Sequence, residues 1–153
     1  MIEVVLVCHE DLAEYFLKVA EFLLKSGENC QTVAIREGER PDQHKLLVEK
    51  ALKDAGSAGN PILILTDLFG GTACNVSLPY LEKDRVEVLS GVNLAMLIRA
   101  LTMRVRKPNL SLVELATECA RYAIDGIRVG SSMLSLFSDP KAKKGGKKNA
   151  PNG

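Results

Sequence analysis

A stretch near the middle of the chain joins a buried strand to a helix through two glycines. Residues 61–65 are Pro-Ile-Leu-Ile-Leu, and an apolar run of this kind is typical of a strand that is buried on both faces. Thr66 and Asp67 follow the strand, and Gly70-Gly71-Thr72 then leads into a helical pattern. A doubly buried strand belongs in a sheet that is covered by helices, so the stretch predicts an α/β fold.

The Gly70-Gly71 turn is a candidate anion-binding element. Glycines let the backbone turn tightly and leave its N–H groups uncovered. The start of a helix adds further free N–H groups and a partial positive charge, which suits a phosphate or carboxylate. An ordinary strand–turn–helix corner, with Thr72 as the helix N-cap, is the structural alternative, and this segment alone leaves both interpretations open.

Strand and helix patterns alternate along most of the chain. The predicted strands are residues 2–7, 31–35, 62–65 and 85–89, and the predicted helices begin near residues 11, 42, 72, 94 and 111. Pro79 is expected to shorten or distort the third helix, which runs to about residue 81. Ser111 and Glu114 form a capping box at the start of the last helix. This order predicts a mainly parallel four-stranded sheet with helices on both faces, and residues 127–129 are a candidate short edge strand.

Three of the predicted strands end in polar residues. His9 follows the first strand, Asp67 the third and Asn93 the fourth. In a parallel sheet these residues share one rim, where α/β folds bind their ligands. Thr66 and Asn93 are candidates for shaping a pocket there, although for Asn93 we favour a simpler role in bonding neighbouring backbone.

His9 is the candidate nucleophile on this rim. A neutral imidazole keeps a lone pair on one ring nitrogen while the other carries the proton. Asp67 can fix that arrangement by accepting the N–H, and backbone N–H groups from Gly70 to Thr72 can then hold the oxygens of a phosphoryl group. Together these residues predict a covalent phosphoryl carrier, with a loop histidine bonded to backbone as the structural alternative.

Other candidate residues near this rim are expected to be structural. His44 lies in a charged stretch and is expected on the surface. Cys8 is next to His9, but successive side chains of a strand point in opposite directions, so a Cys8–His9 catalytic dyad is not expected.

Composition limits the possible classes of protein. The 153 residues carry a formal net charge of +1, which gives no electrostatic case for nucleic acid or a membrane surface as the main partner. No apolar run is long enough to span a bilayer. The sequence starts with a strand pattern and without a leader, so we expect a cytoplasmic protein with reduced cysteines. Its four cysteines lack metal-ligand spacing, and neither a metal site nor a cofactor is expected.

These sequence blocks resemble those of a known family. Three blocks are similar to the IIA domain of the mannose/sorbose family. They are the strand ending in His9, the segment 66–72 with Asn75, and Gly-Val-Asn-Leu-Ala-Met-Leu at 91–97. This family belongs to the bacterial phosphoenolpyruvate-dependent sugar phosphotransferase system (PTS). The resemblance covers residues 1–130. Residues 131–153 form a C-terminal extension with a basic end that we expect to be disordered.

The resemblance implies a function and an assembly. It implies that His9 receives a phosphoryl group from the phosphocarrier HPr and passes it to a IIB domain or protein. It further implies that Asp67 forms a hydrogen bond with the histidine. By the same resemblance, Gly70, Gly71 and Thr72 bind the phosphoryl oxygens. It also implies one antiparallel edge strand, residues 127–129, exchanged in a homodimer. We expect the acceptor to be a separate IIB protein, and any membrane association would run through a permease complex.

The sequence departs from the family at two positions near the site. Glu10 stands where the family has glycine, and a negative charge there opposes a phosphoryl group unless the carboxylate points away. Ala73 stands where the family has proline, which restores one backbone N–H. Two alternative functions stay open: a regulatory module that signals through phosphorylation of His9, and a non-catalytic binder of small anions at the Gly-Gly turn.

Overall fold

The chain folds into alternating strands and helices, as the sequence predicts. The structure is a computed structural model and describes residues 1–25 and 30–133. Its elements are β1 (Glu3–His9), α1 (Leu12–Leu24), β2 (Cys30–Ile35), α2 (Pro41–Ala55), β3 (Ile62–Thr66), α3 (Thr72–Ser77), β4 (Val86–Ser90), α4 (Leu94–Arg106) and α5 (Leu112–Asp125).

The strands form one parallel sheet in the order β2-β1-β3-β4. Leu6 of β1 is paired with Thr32 of β2 and with Leu65 of β3, and Leu89 of β4 is paired with Leu65. The chain thus leaves β1 towards β2 on one side and later returns to β3 on the other side. The order reverses between β1 and β3, and a crevice for ligands opens at the carboxyl ends of these two strands.

Helices cover both faces of the sheet, which confirms the predicted layers. Val4, Leu6 and Cys8 of β1 pack against buried residues of α1, α4 and α5 on one face. Val5 and Val7 point to the opposite face, where they pack with α2 and α3. All five residues of β3 are buried, which explains the continuous apolar run seen in the sequence.

The third helix is shorter than the predicted segment of residues 72–81. It ends at Ser77, and Leu78–Tyr80 form a 3₁₀ turn with Pro79 at its start. Proline lacks an N–H group and its ring clashes with the preceding helical turn, so the α-helical bonding pattern stops here.

The predicted edge strand does not form within the described chain. Residues 127–129 have no strand structure, and Ile127 and Val129 are 71% and 68% exposed. Their exchange between two copies, and the homodimer, stay predictions. Residues 130–133 are helical, and the rest of the predicted extension, with its basic tail, lies outside the described residues. No helix among the described residues has the length and apolar character needed to cross a membrane.

Truncating a core side chain tests this layered packing. Leu101 of α4 is 1% exposed, so Leu101→Ala should lower the free energy of unfolding by about 2–5 kcal/mol through lost burial and the cavity left behind. Leu46 of α2 is 62% exposed, and Leu46→Ala should change it by less than about 0.5 kcal/mol. Urea unfolding measures both values. Equal losses in the two variants would contradict the assignment of the core.

Candidate active site

The side chains of His9 and Asp67 meet at the carboxyl ends of the two central strands. Val7 of β1 is paired with Thr66 of β3, so the residues that follow come together on the rim. Asp67 Oδ2 accepts a hydrogen bond from the backbone N–H of His9 at 2.8 Å and lies 2.9 Å from His9 Nδ1. Its other oxygen accepts the N–H of Leu68 at 2.8 Å. One carboxylate therefore holds the backbone and the ring of His9.

The surroundings of Asp67 favour its ionised form. Burial by itself raises the pKa of the Asp67 carboxyl. The hydrogen bonds from the backbone and ring of His9 and from the N–H of Leu68 outweigh burial, so the pKa lies below its usual value of 3.8. An ionised carboxylate can only accept hydrogen bonds. In the neutral imidazole, Nδ1 of His9 therefore carries the proton and Nε2 keeps the lone pair.

His9 is accessible while its carboxylate partner is largely covered. The side chain of His9 is 41% exposed and that of Asp67 is 12% exposed. Within the described part of the chain, no residue forms a hydrogen bond with His9 Nε2. An accessible nitrogen with a free lone pair, oriented by a carboxylate from behind, has the geometry of an activated nucleophile.

The two glycines of the turn serve different purposes. Gly70 has a φ of +77°, which favours glycine, and an added Cβ would meet no atom within 4 Å. Gly71 has an ordinary φ of −71°, but an added Cβ would lie 3.0 Å from Cε1 of His9. The N–H of Gly71 already donates to the carbonyl of Leu68 at 3.1 Å. Gly71 therefore provides space for the imidazole rather than a free donor.

Asn75 holds the turn in place. Its side-chain amide donates to the carbonyl of Gly70 at 2.9 Å, a role that the sequence did not suggest. Within the described residues, the N–H groups of Gly70 and Thr72 have no backbone partner, in line with the free donors at the start of a helix. They are the groups of the predicted anion-binding turn that can still bind an anion.

The two candidates for shaping a pocket, Asn93 and Thr66, make contacts within the fold. The Oδ1 atom of Asn93 accepts the N–H of Met96 at 2.9 Å as the N-cap of α4, in keeping with the simpler role expected for it. Thr66 is fully buried, and its carbonyl accepts the N–H of Val92 at 2.9 Å. Neither residue lines the cavity beside His9.

An open cavity of about 540 Å³ lies beside His9. The cavity is lined by the ends of β1 and β2, the loop between β2 and α2 (residues 36–40), the start of α2, and Thr72 at the start of α3. The cavity therefore lies on the side of His9 that faces α2 and α3.

His44 lines the same cavity and is buried, so its predicted surface position is wrong. It is 5% exposed, and its Nε2 lies 3.2 Å from the carbonyl of Arg36 and 3.3 Å from Glu39 Oε2. The signal for burial was present in the sequence, since His44, Val48 and Ala51 recur at helical spacing. The neighbouring charged residues obscured it.

A catalytic cysteine finds no support at this site. Cys8 is fully buried, and burial, with smaller effects from Asp67 and Cys30, raises the pKa of its thiol to about 12. A thiol with this pKa forms almost no thiolate near neutral pH. Among the residues that the structure describes, no group of three or more His, Cys, Asp or Glu side chains could hold a metal ion.

Asp67→Asn should remove a pH-dependent contribution to stability. Because the pKa of Asp67 is lower in the folded than in the unfolded chain, the ionised carboxylate stabilises the fold above its unfolded-state value of 3.8, and this is lost as the pH falls through the folded-state pKa. The difference in free energy of unfolding between wild type and Asp67→Asn should shrink below about pH 4. Urea unfolding across pH measures it, and a difference that does not shrink as the pH falls below about 4 would contradict the assignment.

Gly71→Ala should displace the imidazole of His9. The added Cβ would lie 3.0 Å from His9 Cε1 and 3.2 Å from the carbonyl oxygen of Leu68, so the backbone leaves little room to relax away from the ring. NMR should show a changed Cε1–H resonance for His9. Gly70→Ala is the matched control: its left-handed φ costs about 1–2 kcal/mol of stability, but the ring should keep its position. An unchanged His9 resonance in Gly71→Ala would refute the role of Gly71.

Most of this chain is similar in sequence to known proteins. The EIIA-man family model, described as PTS system fructose IIA component, matches residues 3–117. The mannose-specific EIIAB component of Escherichia coli K12 is 32% identical over 131 residues, which cover 83% of this chain and 40% of that protein. The fructose-specific EIIA component of Bacillus subtilis is 29% identical over 135 residues, 88% of this chain and 90% of that protein.

Solved structures show the same fold. The EIIA component from Streptococcus agalactiae matches with a TM-score of 0.73 at 27% identity, over 86% of this chain and 99% of that chain. The mannose/sorbose-specific IIA subunit from Enterococcus faecalis matches with a TM-score of 0.73 at 26% identity, over 83% of this chain and 92% of that chain. The chain spans only 40% of the E. coli protein, so the activity of that whole protein does not transfer directly. Sequence and structure agree that this chain belongs to the EIIA-man family of PTS IIA components.

Proposed function

We propose that this protein is a phosphohistidine carrier that accepts a phosphoryl group from phospho-HPr on His9 and passes it to a separate IIB protein in sugar uptake. The observation that carries the proposal is the 2.9 Å contact between Asp67 Oδ2 and His9 Nδ1, which leaves Nε2 as the nucleophilic nitrogen. Relatives of the chain are named as mannose-specific and fructose-specific components, so IIB proteins for these sugars are the first acceptors to test.

The transfer exchanges one nitrogen–phosphorus bond for another. The lone pair of His9 Nε2 attacks the phosphorus of the donor's phosphohistidine in line. The new N–P bond forms as the donor's N–P bond breaks, and the electron pair of that bond returns to the donor imidazole. His9 keeps its Nδ1 proton, and ionised Asp67 stabilises the positive charge that develops on the ring. The N–H groups of Gly70 and Thr72 bind the phosphoryl oxygens, with Gly71 leaving room for the ring.

A protein donor is supported by the apolar surface beside the site. Leu68 and Phe69 follow Asp67 directly, and they are 63% and 81% exposed. A partner that brings its phosphohistidine to His9 Nε2 would cover these side chains, and burial of apolar and aromatic side chains is characteristic of the centre of protein interfaces.

Intact-mass spectrometry tests the proposal directly. Incubation with phosphoenolpyruvate, enzyme I and HPr should add one acid-labile phosphoryl group to the wild type and none to His9→Ala. The chain has two histidines, so peptide mapping must place the group on His9 rather than His44. Absence of the adduct with active upstream proteins would refute the proposal. An adduct that no IIB protein accepts would instead indicate the regulatory alternative.

Asp67→Asn should slow phosphorylation by roughly 10- to 100-fold. An asparagine amide can donate to Nδ1, which places the imidazole proton on Nε2 and removes the nucleophilic lone pair. Quenched-flow measurement of the rate, with circular dichroism to confirm folding, checks this. Transfer at the wild-type rate would show that Asp67 does not orient His9.

A further inference from the structure

Glu10 places a carboxylate directly after the proposed nucleophile. Its φ is +48°, a left-handed conformation that favours glycine and is unusual for a residue with a side chain. This backbone geometry gives a physical reason for a glycine at this position in the family. A glutamate there carries a strain cost and brings a negative charge next to the site.

The carboxylate of Glu10 is bonded to the loop between β2 and α2. Its Oε1 accepts the backbone N–H of Glu37 at 3.0 Å, and its Oε2 accepts from Arg36 Nη1 at 3.3 Å. The other terminal nitrogen of Arg36 donates to Asp11 Oδ1 at 2.5 Å. One guanidinium therefore bridges the two carboxylates that follow His9 in the sequence.

Arg36 is itself anchored at its backbone. Its carbonyl lies 3.2 Å from Nε2 of buried His44, and the preceding carbonyl, of Ile35, accepts the N–H of Glu10 at 3.0 Å. These contacts place Arg36 at the wall of the cavity that His9 also lines. The backbone position of Arg36 is thus set by the β1–β2 pairing and by α2, and its guanidinium is held by Glu10 and Asp11.

The ion pairs of Arg36 contribute little to folding stability. The side chains of Arg36, Glu10 and Asp11 are 44%, 59% and 48% exposed, and exposed pairs are weak because water screens them. An incoming phosphoryl group carries two negative charges, and a nearby carboxylate that has lost its cationic partner repels it.

We propose that Arg36 is a positioning residue of the phosphoryl-transfer site, which holds the carboxylates of Glu10 and Asp11 against the β2–α2 loop and compensates their charge. In this way His9 can accept a dianionic phosphoryl group although a glutamate follows it. Without Arg36, both carboxylates lose their cationic partner and raise the barrier to transfer. The inference rests on the proposed function, and it assigns to Arg36 a role that acts through Glu10 and Asp11 rather than on the phosphoryl group itself.

A double-mutant cycle with Arg36→Gln and Glu10→Gln tests the inference. The rate of phosphorylation of His9 by phospho-HPr should fall on the order of tenfold in Arg36→Gln. In that background Glu10→Gln should recover part of the loss, and Glu10→Gln together with Asp11→Asn should recover most of it. Glu10→Gln alone should transfer at least as fast as wild type. Higher salt should narrow the gap between Arg36→Gln and wild type, and the thermal midpoints of the variants should stay close together. Arg121→Gln, which removes an arginine paired with Glu118 on α5, is the charge-matched control and should leave the rate unchanged.

The outcomes separate this inference from the proposed function. Failure of the wild type to become phosphorylated refutes the function itself. A phosphorylated wild type with an equally fast Arg36→Gln variant overturns only the role of Arg36. A slow Arg36→Gln variant that Glu10→Gln and Asp11→Asn together do not rescue also overturns it, since Arg36 would then act directly on the phosphoryl group or the partner. Phosphoramidate, a small donor with a P–N bond, provides the last check: a loss seen with phospho-HPr but not with phosphoramidate assigns Arg36 to docking and overturns the inference.

Discussion

The site depends on one carboxylate oxygen that accepts two hydrogen bonds from the same residue. Asp67 Oδ2 contacts both the backbone N–H and the ring Nδ1 of His9. The first contact holds the end of β1 to the end of β3, and the second sets which ring nitrogen keeps its lone pair. Because the imidazole is fixed in this way, the residue beneath it must be small, and Gly71 meets that need. The carboxylate of Asp67 therefore both links the two central strands and orients the ring of His9.

The sheet order explains why this interaction lies in a crevice. The chain moves from β1 to β2 on one side and to β3 on the other, so the segments after β1 and β3 diverge and leave the rim between them open. The β2–α2 loop closes one side of this opening. Buried His44 contacts the backbone carbonyl of Arg36 in that loop. The guanidinium of Arg36 in turn donates hydrogen bonds to the two acidic residues that follow His9. In our proposal, this second wall is what makes a residue such as Glu10 compatible with the site.

Several features were predictable because they depend on local pattern. The strands and helices followed from apolar periodicity and from capping residues, and the common rim of His9 and Asp67 followed from a general property of parallel sheets. The burial of His44 was missed because charged neighbours outweighed its spacing relative to Val48. The separate purposes of Gly70 and Gly71 were not predictable, since one depends on a backbone angle and the other on the distance to a ring from a different strand.

The sequence by itself determined the layered α/β architecture, the chemical character of the rim and the resemblance to a PTS family, because these arise from residue order and short-range periodicity. The tertiary structure alone decided how the side chains act together. It set the tautomer of His9, the ionised state of Asp67 and the direction of the Glu10 carboxylate. Each of these depends on distances of about 3 Å between residues that are far apart in the chain, and a linear sequence does not contain such distances.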